Sequence, residues 1–236
     1  MRICILRTDE VLADFQPQFG DYPQMFMRIF REVAPDCEFA CVDVREGVPS
    51  EITCDAYLIT GSRHSVYEPL PWIPPLVQFL REVLVSGRKI LGICFGHQLM
   101  AHYFGGEVAQ AAQGWAVGVQ ANTISRHLQC MDDGADTVRL LSSHKDQVQK
   151  LPPDGEVYLT SDICPIAGFT VGEQIITVQG HPEFVKPYSE ALMTFRREIL
   201  GETVFQSGID SLSENTDEHR VVRWLVNFAA SGETPG

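Results

Sequence analysis

The sequence lacks the cysteine patterns that hold small secreted proteins together or bind zinc. Its 236 residues include seven cysteines, an odd number, with no C-x-x-C pair, so neither a disulfide framework nor a zinc site is indicated. The apolar run near the start, residues 3–6, is too short for a signal peptide or a membrane span. These absences predict a cytoplasmic protein with reduced thiols, no targeting segment and no membrane partner.

Positive charge is also scarce. The 18 Lys and Arg residues against 31 Asp and Glu residues give a net charge of -13. Because such a surface repels phosphate backbones and anionic lipid, we expect no nucleic-acid partner. The sequence has neither G-x-x-x-x-G-K-[ST] nor Ser-Gly-Gly-x-Asp, the loops that bind nucleotide phosphates. We therefore do not expect the chain to activate an acceptor with ATP by itself.

Short apolar segments alternate with helical ones in the first half of the chain. Apolar runs predict strands at residues 2–6, 39–44, 55–59 and 89–93, and apolar spacing predicts helices at 22–33, 72–84 and 98–104. This alternation is typical of an α/β fold, with a mostly parallel sheet, helices on both faces, and functional loops at the carboxyl ends of its strands. Length and composition, with 44% hydrophobic residues, favour a single domain over residues 1–236.

Glycine-punctuated strands follow in the second half. They are predicted at 117–124, 138–141, 157–161, 166–171 and 174–178, and Gly172-Glu173 indicates a hairpin, which makes the sheet mixed. Closing helices are predicted at 187–200 and 217–230, with a polar, Ser-rich loop at 203–216 between them.

Cys94 lies where a predicted strand meets a predicted helix. In the segment GICFG, residues 92–96, glycines flank a turn on which a nucleophile would have a strained backbone, because larger neighbours would not fit. The N-terminus of the next helix places partial positive charge beside the sulfur and favours the thiolate. Cys94 is therefore a candidate nucleophile, and a small buried cysteine is the alternative.

A histidine and a carboxylate follow a later strand, in the segment QGHPEF at residues 179–184. Glu183 can accept a hydrogen bond from one ring nitrogen of His181, which leaves the other nitrogen for a thiol. His97 is a rival base, but a helix would carry its side chain along its own face. The pattern favours His181 as the base and Glu183 as its orienter, and a histidine at a plain turn is the alternative.

These motifs resemble those of the class I glutamine amidotransferases. GICFGHQ at residues 92–98 is similar to the nucleophile elbow of the family, and QGHPEF is similar to its histidine-glutamate segment, in the same order. The resemblance implies a flavodoxin-like core, a catalytic set of Cys94, His181 and Glu183, and no metal or organic cofactor.

The segment LITGSRHSV, residues 58–66, is similar to the Leu-Ser-Gly-Gly-Pro loop of the family, which supplies one backbone N-H group of the oxyanion hole. The resemblance implies that Gly61 or Ser62 gives this donor and that Phe95 gives the other. The chain departs from the family pattern, because Ser62 and Arg63 stand in place of Gly-Pro, so the first donor is open between the two residues. A plain turn glycine is the alternative for Gly61.

The segment SSHKD, residues 142–146, resembles the Ser-His-x-Asp segment in the glutaminase domain of GMP synthetases. That segment helps to hold the α-amino end of glutamine, and the carboxylate of Asp146 suits an ammonium group. Trp115 is also compatible with a core position. The resemblance implies a glutamine pocket formed by Gln98, Gly114, Trp115, Ser143, His144 and Asp146.

The resemblance implies that Cys94 attacks the side-chain amide of glutamine, releases ammonia for a synthetase on a separate chain, and forms a γ-glutamyl thioester that water hydrolyses. An alternative is a γ-glutamyl peptidase acting on glutathione or a related γ-glutamyl compound. That branch shares the elbow, the TGS turn and the Gly-Trp-x-x-Gly pattern at 114–118. A third alternative is an inactive regulatory or binding subunit, against which the intact catalytic set argues.

Overall fold

We describe residues 1–231 in a computed structural model of the chain. The strands are β1 (Arg2–Arg7), β2 (Glu38–Asp43), β3 (Ala56–Ile59), β4 (Lys89–Ile93), β5 (Glu107–Gln110), β6 (Ala116–Ile124), β7 (Thr137–His144), β8 (Asp146–Lys150), β9 (Gly155–Thr160), β10 (Gly168–Val171) and β11 (Ile175–Val178). The helices are α1 (Gln16–Phe19), α2 (Tyr22–Val33), α3 (Ile73–Val85), α4 (Phe95–Tyr103), α5 (Lys186–Phe195), α6 (Arg197–Leu200), α7 (Glu202–Ser211) and α8 (Glu218–Ala230). No helix in this part of the chain is both long and apolar enough to cross a membrane.

A nine-stranded sheet forms the centre of the fold, in the order β2-β1-β3-β4-β11-β10-β9-β6-β7. The strands from β2 to β11 in this order are parallel, and those from β11 to β7 are antiparallel. The predicted mixed α/β fold is confirmed. Strands β5 and β8 form a separate antiparallel pair.

Helices cover both faces of the parallel strands. In β1, Ile3 and Ile5 lie in one hydrophobic cluster with residues of α2 and α8. Cys4 and Leu6 lie in a second cluster, with residues of α3 and α4. Successive side chains of a strand point to opposite faces, so a strand buried on both faces is apolar at every position. The continuous apolar runs of the sequence follow from this arrangement.

The predicted loop at 203–216 is wrong over most of its length, because residues 202–211 form α7. Phe205 and Gly208 are buried on this helix. Gly208 lies so close to β6 that an added Cβ would be 2.8 Å from Val117 Cγ2. A helix that packs through one aromatic residue and a glycine has too weak an apolar stripe to be recognised from its sequence.

The predicted closing helix at 187–200 is interrupted. Helix α5 ends at Phe195 and α6 begins at Arg197, because Arg196 has backbone angles of φ -95° and ψ 8°. The edge strands β5 and β8 were not predicted. Each is short and partly exposed, and each pairs within its two-stranded sheet, so neither has the apolar run of a central strand.

Candidate active site

Cys94 lies between the end of β4 and the start of α4. Its backbone is strained, with φ 50° and ψ -96°, in a region that residues with a side chain rarely occupy. A Cβ on Gly92 would lie 2.8 Å from Gly96 O, and a Cβ on Gly96 would lie 2.6 Å from Ile59 O. The flanking glycines are therefore required by close backbone packing, and the predicted strand-turn-helix context of the cysteine is confirmed.

His181 follows β11, the strand next to β4, and its backbone N-H donates to Leu141 O over 2.8 Å. Its imidazole Nδ1 lies 2.8 Å from Glu183 Oε1, and His181 and Cys94 line the same small cavity. Phe184 stacks on the imidazole, with ring centroids 3.9 Å apart and an angle of 9° between the planes. The structure thus places the three predicted catalytic residues in one row.

The electrostatics of this row favour a charged histidine. Burial alone lowers the pKa of His181, but the carboxylate of Glu183 and the side chain of Cys94 outweigh it and raise the pKa to about 10. Glu183 Oε2 is buried and has no hydrogen-bond partner among residues 1–231. Its carboxylate therefore acts mainly on His181, and the buried pair favours the imidazolium form at neutral pH.

The candidate oxyanion donors also lie beside Cys94. A Cβ on Gly61 would be 2.9 Å from His181 Cε1 and 3.6 Å from Cys94 Cβ, so the loop after β3 approaches both side chains this closely only because this residue is glycine. Ser62 lines both cavities that contain Cys94, whereas Gly61 lines neither. Phe95 is the first residue of α4, where helix N-H groups have no partner within the helix.

A cleft of about 180 Å³ opens beside the sulfur of Cys94. Gly114 lies outside its lining and has a φ of 84°, in the turn before β6. Asp146 Oδ1 accepts a hydrogen bond from Tyr67 OH over 3.1 Å, and Oδ2 accepts one from Ser65 Oγ. The other predicted pocket residues all line the cleft, namely Gln98, Trp115, Ser143, His144 and Asp146.

Gln179 and Arg196 contact other residues of the site and were not predicted. Gln179 Nε2 lies 3.5 Å from Cys94 Sγ and donates to it. Its place in the QGHPEF segment was the available signal. Arg196 donates from one guanidinium nitrogen to Ser143 Oγ over 2.8 Å and lies over the Trp115 ring, 5.5 Å from its centroid. Arg196 stands at the break between α5 and α6, outside any motif.

The rival base His97 is buried on α4 and lines neither cavity that contains Cys94. Its Nδ1 lies 2.9 Å from Thr177 Oγ1, and its ring packs against Phe169. Burial, with a smaller contribution from His144, lowers the pKa of His97 to about 3. His97 is therefore a neutral core residue at physiological pH.

Comparisons with known proteins agree with this geometry. The family model described as glutamine amidotransferase class-I matches residues 20–199. Gamma-glutamyl peptidase 2 of Arabidopsis thaliana is 29% identical over 186 residues, which cover 76% of this chain and 75% of that protein. A glutamine-hydrolysing GMP synthase of an Azoarcus species is 31% identical over 202 residues, covering 81% of this chain and 37% of the synthase.

The fold is also that of a solved structure. The crystal structure of a glutamine amidotransferase from Thermotoga maritima superposes with a TM-score of 0.74, at 20% identity, over 97% of this chain and 96% of that one. The family match extends over most of the chain and includes both sequence motifs. The chain therefore belongs to the class I glutamine amidotransferase family of enzymes.

Proposed function

We propose that this chain hydrolyses the side-chain amide of glutamine through a γ-glutamyl thioester on Cys94, releasing ammonia to a synthetase on another chain. The observation that supports this best is the row of Cys94, His181 and Glu183 beside a cleft that contains Asp146. A nucleophilic thiol works with a nearby base, and the base is held in orientation by a third group, here a carboxylate.

In the first step, the Cys94 thiolate attacks the amide carbon, and the carbonyl oxygen becomes an oxyanion. The backbone N-H of Phe95 and one from the loop after β3 stabilise that charge. The His181 imidazolium gives its proton to the departing nitrogen, the C-N bond breaks, and ammonia leaves. The raised pKa of His181 ensures that this proton is present at neutral pH.

In the second step, water attacks the thioester carbon while neutral His181 takes its proton. The C-S bond breaks, glutamate is released, and the thiolate and imidazolium are regenerated. Glu183 orients the imidazole through Nδ1 in both steps. His181 gives or takes the proton in both steps of this cycle.

Charge in the cleft suits the amino-acid end of the substrate. The carboxylate of Asp146 accepts hydrogen bonds only from hydroxyl groups and forms no ion pair within residues 1–231, so its charge is free to bind an ammonium group. Arg196, held by Ser143 and Trp115, likewise has no carboxylate partner in this part of the chain and is available for a carboxylate.

One observation favours a second candidate function, hydrolysis of a γ-glutamyl peptide such as glutathione. Lys145 also lines the cleft and forms no ion pair with the described residues, whereas Arg63 is paired with Asp9. Two unpaired cations against one unpaired carboxylate match a substrate with two carboxylates and one ammonium group. Glutamine would leave one cation unmatched, and the relatives named as gamma-glutamyl peptidases accord with this candidate.

The test separates the two candidates. The protein is incubated separately with glutamine, γ-glutamylglycine, γ-glutamylglycinamide and glutathione, and released ammonia or amine is measured against Cys94→Ala. Ammonia release from glutamine alone supports the first candidate. Preference for γ-glutamylglycine over its uncharged amide, lost in Lys145→Met, supports the second. Binding of all four compounds without turnover would overturn both and support an inactive binding subunit.

A further inference from the structure

The peptide between Gly61 and Ser62 has a fixed orientation. Gly61 O accepts a hydrogen bond from Thr8 Oγ1 over 2.9 Å and lies 3.2 Å from Thr60 Oγ1. Because the carbonyl and the N-H of a trans peptide point in opposite directions, the Ser62 N-H is directed away from Thr8. Ser62 lines both cavities that contain Cys94 and Gly61 lines neither, so the orientation favours the Ser62 N-H as the first oxyanion donor.

Asp9 holds the next residue of the same loop. One carboxylate oxygen, Oδ2, accepts hydrogen bonds from the backbone N-H and from Nε of Arg63, both over 2.8 Å. Asp9 is only 3% exposed, and Arg45 Nη1 lies 3.9 Å from its other oxygen, Oδ1. Charge-assisted hydrogen bonds are short and strong, and burial limits their screening by solvent. The backbone and side chain of Arg63 are therefore both fixed by one buried atom.

The contact between Asp9 and Arg63 takes the place of a rigid proline. The similar loop of the family has proline where this chain has Arg63, and a proline ring restricts the backbone by itself. Arg63 has no such ring, but it has the backbone N-H that proline lacks, and that group binds Asp9. An external carboxylate thus restrains a loop that would otherwise be more mobile.

We propose that Asp9 is a positioning residue that, through Arg63, keeps the Ser62 N-H aimed at the developing oxyanion. The inference rests on the proposed function, because an oxyanion forms only when Cys94 attacks a carbonyl group. A loose loop would still bind the substrate but would lose transition-state stabilisation, since the donor would have to be ordered during the reaction. Asp9 therefore affects kcat more than KM.

The first test compares hydrolysis with alkylation in Asp9→Ala. We expect kcat for the preferred γ-glutamyl substrate to fall about 10- to 100-fold, with little change in KM. Alkylation of Cys94 by iodoacetamide forms no oxyanion, so its rate should stay at the wild-type value. An equal fall in both rates would show general damage to the site and overturn the inference, as would an unchanged kcat.

The second test is rescue by proline. The Asp9→Ala/Arg63→Pro double variant should recover most of the kcat that Asp9→Ala loses, because the proline ring replaces the ionic restraint. A double variant whose kcat is no higher than that of Asp9→Ala contradicts the inference.

If Asp9→Ala does not fold, Asp9→Asn is used instead, because it keeps an acceptor for the backbone N-H of Arg63. A partial loss of kcat is expected, and a wild-type kcat would overturn the inference. Wild-type protein inactive on every γ-glutamyl compound would instead overturn the proposed function.

Discussion

Gln179 Nε2 donates a hydrogen bond to Cys94 Sγ over 3.5 Å, while Gln179 Oε1 accepts one from Gln98 Nε2 over 3.1 Å. Gln98 Nε2 also donates to Asp146 O over 2.8 Å. A continuous path of buried amides therefore connects the sulfur to the cleft wall that contains Asp146. The path gives the sulfur a donor separate from His181.

Gln179→Met removes this donor at similar side-chain length. A hydrogen bond to a charged group contributes about 1.5 to 3 kcal/mol, so the thiolate should be less stable. We expect iodoacetamide alkylation and kcat at neutral pH both to fall about tenfold. The matched control is Gln174→Met, whose amide binds Leu84 O at the opposite end of β11. Equal alkylation rates in the two variants would show that the Gln179 contact has no effect on the sulfur.

Glu183→Gln removes the charge that holds His181 in its protonated form. Burial still lowers the pKa of His181, but the carboxylate that raised it is gone. The imidazolium form is therefore lost at a lower pH than in the wild type. The alkaline limb of the kcat/KM profile should move to lower pH, and kcat at pH 8 should fall about 100-fold. A profile with an unmoved alkaline limb would contradict the assigned roles of both residues.

The same carboxylate makes stability depend on pH. The pKa of His181 is 6.5 in an ordinary environment and about 10 in the fold, so this group contributes stability that is fully present below pH 6.5 and lost as the pH rises to about 10. Denaturant unfolding across this interval should show a smaller fall in unfolding free energy for Glu183→Gln than for the wild type. An identical fall would argue against the buried ion pair.

Gly61→Ala tests how closely the loop after β3 approaches the catalytic row. The new methyl group would lie 2.9 Å from His181 Cε1, so either the loop or the imidazole must move. We expect kcat to fall at least about 100-fold, because small displacements in an active site are costly. Gly47→Ala, where no atom lies within 4 Å of the added Cβ, should retain wild-type activity. Full activity in Gly61→Ala would refute the predicted contact.

His97→Gln distinguishes a core histidine from a rival base. Burial lowers the pKa of His97 to about 3, so its contribution to stability is present above pH 6.5 and lost as the pH falls towards 3. The variant should stay active at pH 7.5 and lose less unfolding free energy between pH 6.5 and 4 than the wild type. His127 is exposed, so His127→Gln serves as the control for the loss of a histidine outside the core. Loss of turnover in His97→Gln alone would make His97 part of the reaction.

Local sequence could predict the candidate catalytic residues because both motifs follow an apolar strand. Glycines flank Cys94, and a carboxylate, Glu183, follows His181 closely. Cys94 follows Ile93, which pairs in register with Val178, and His181 comes three residues after Val178. The carboxyl ends of neighbouring parallel strands therefore bring the sulfur and the imidazole together. The adjacency of β4 and β11, across about eighty residues, is set by tertiary packing and has no local signal.

The residues that sequence reasoning missed act through long-range contacts. Arg196 joins the cleft because the break between α5 and α6 directs it to Ser143 and Trp115. Asp9 joins the oxyanion loop because β1 and β3 are neighbours. Neither residue belongs to a pattern with a helical or strand period. Such contacts follow from strand order and helix packing, which a single sequence does not specify locally.

The most direct test of the account is detection of the acyl-enzyme. Wild-type protein is mixed with glutamine or γ-glutamylglycine, quenched in acid within one turnover, digested and analysed by mass spectrometry. We predict one added γ-glutamyl group on the peptide that contains Cys94, absent from Cys94→Ser and from protein quenched after the substrate is consumed. Turnover with no adduct on that peptide, or with an adduct on another residue, would contradict the central claim.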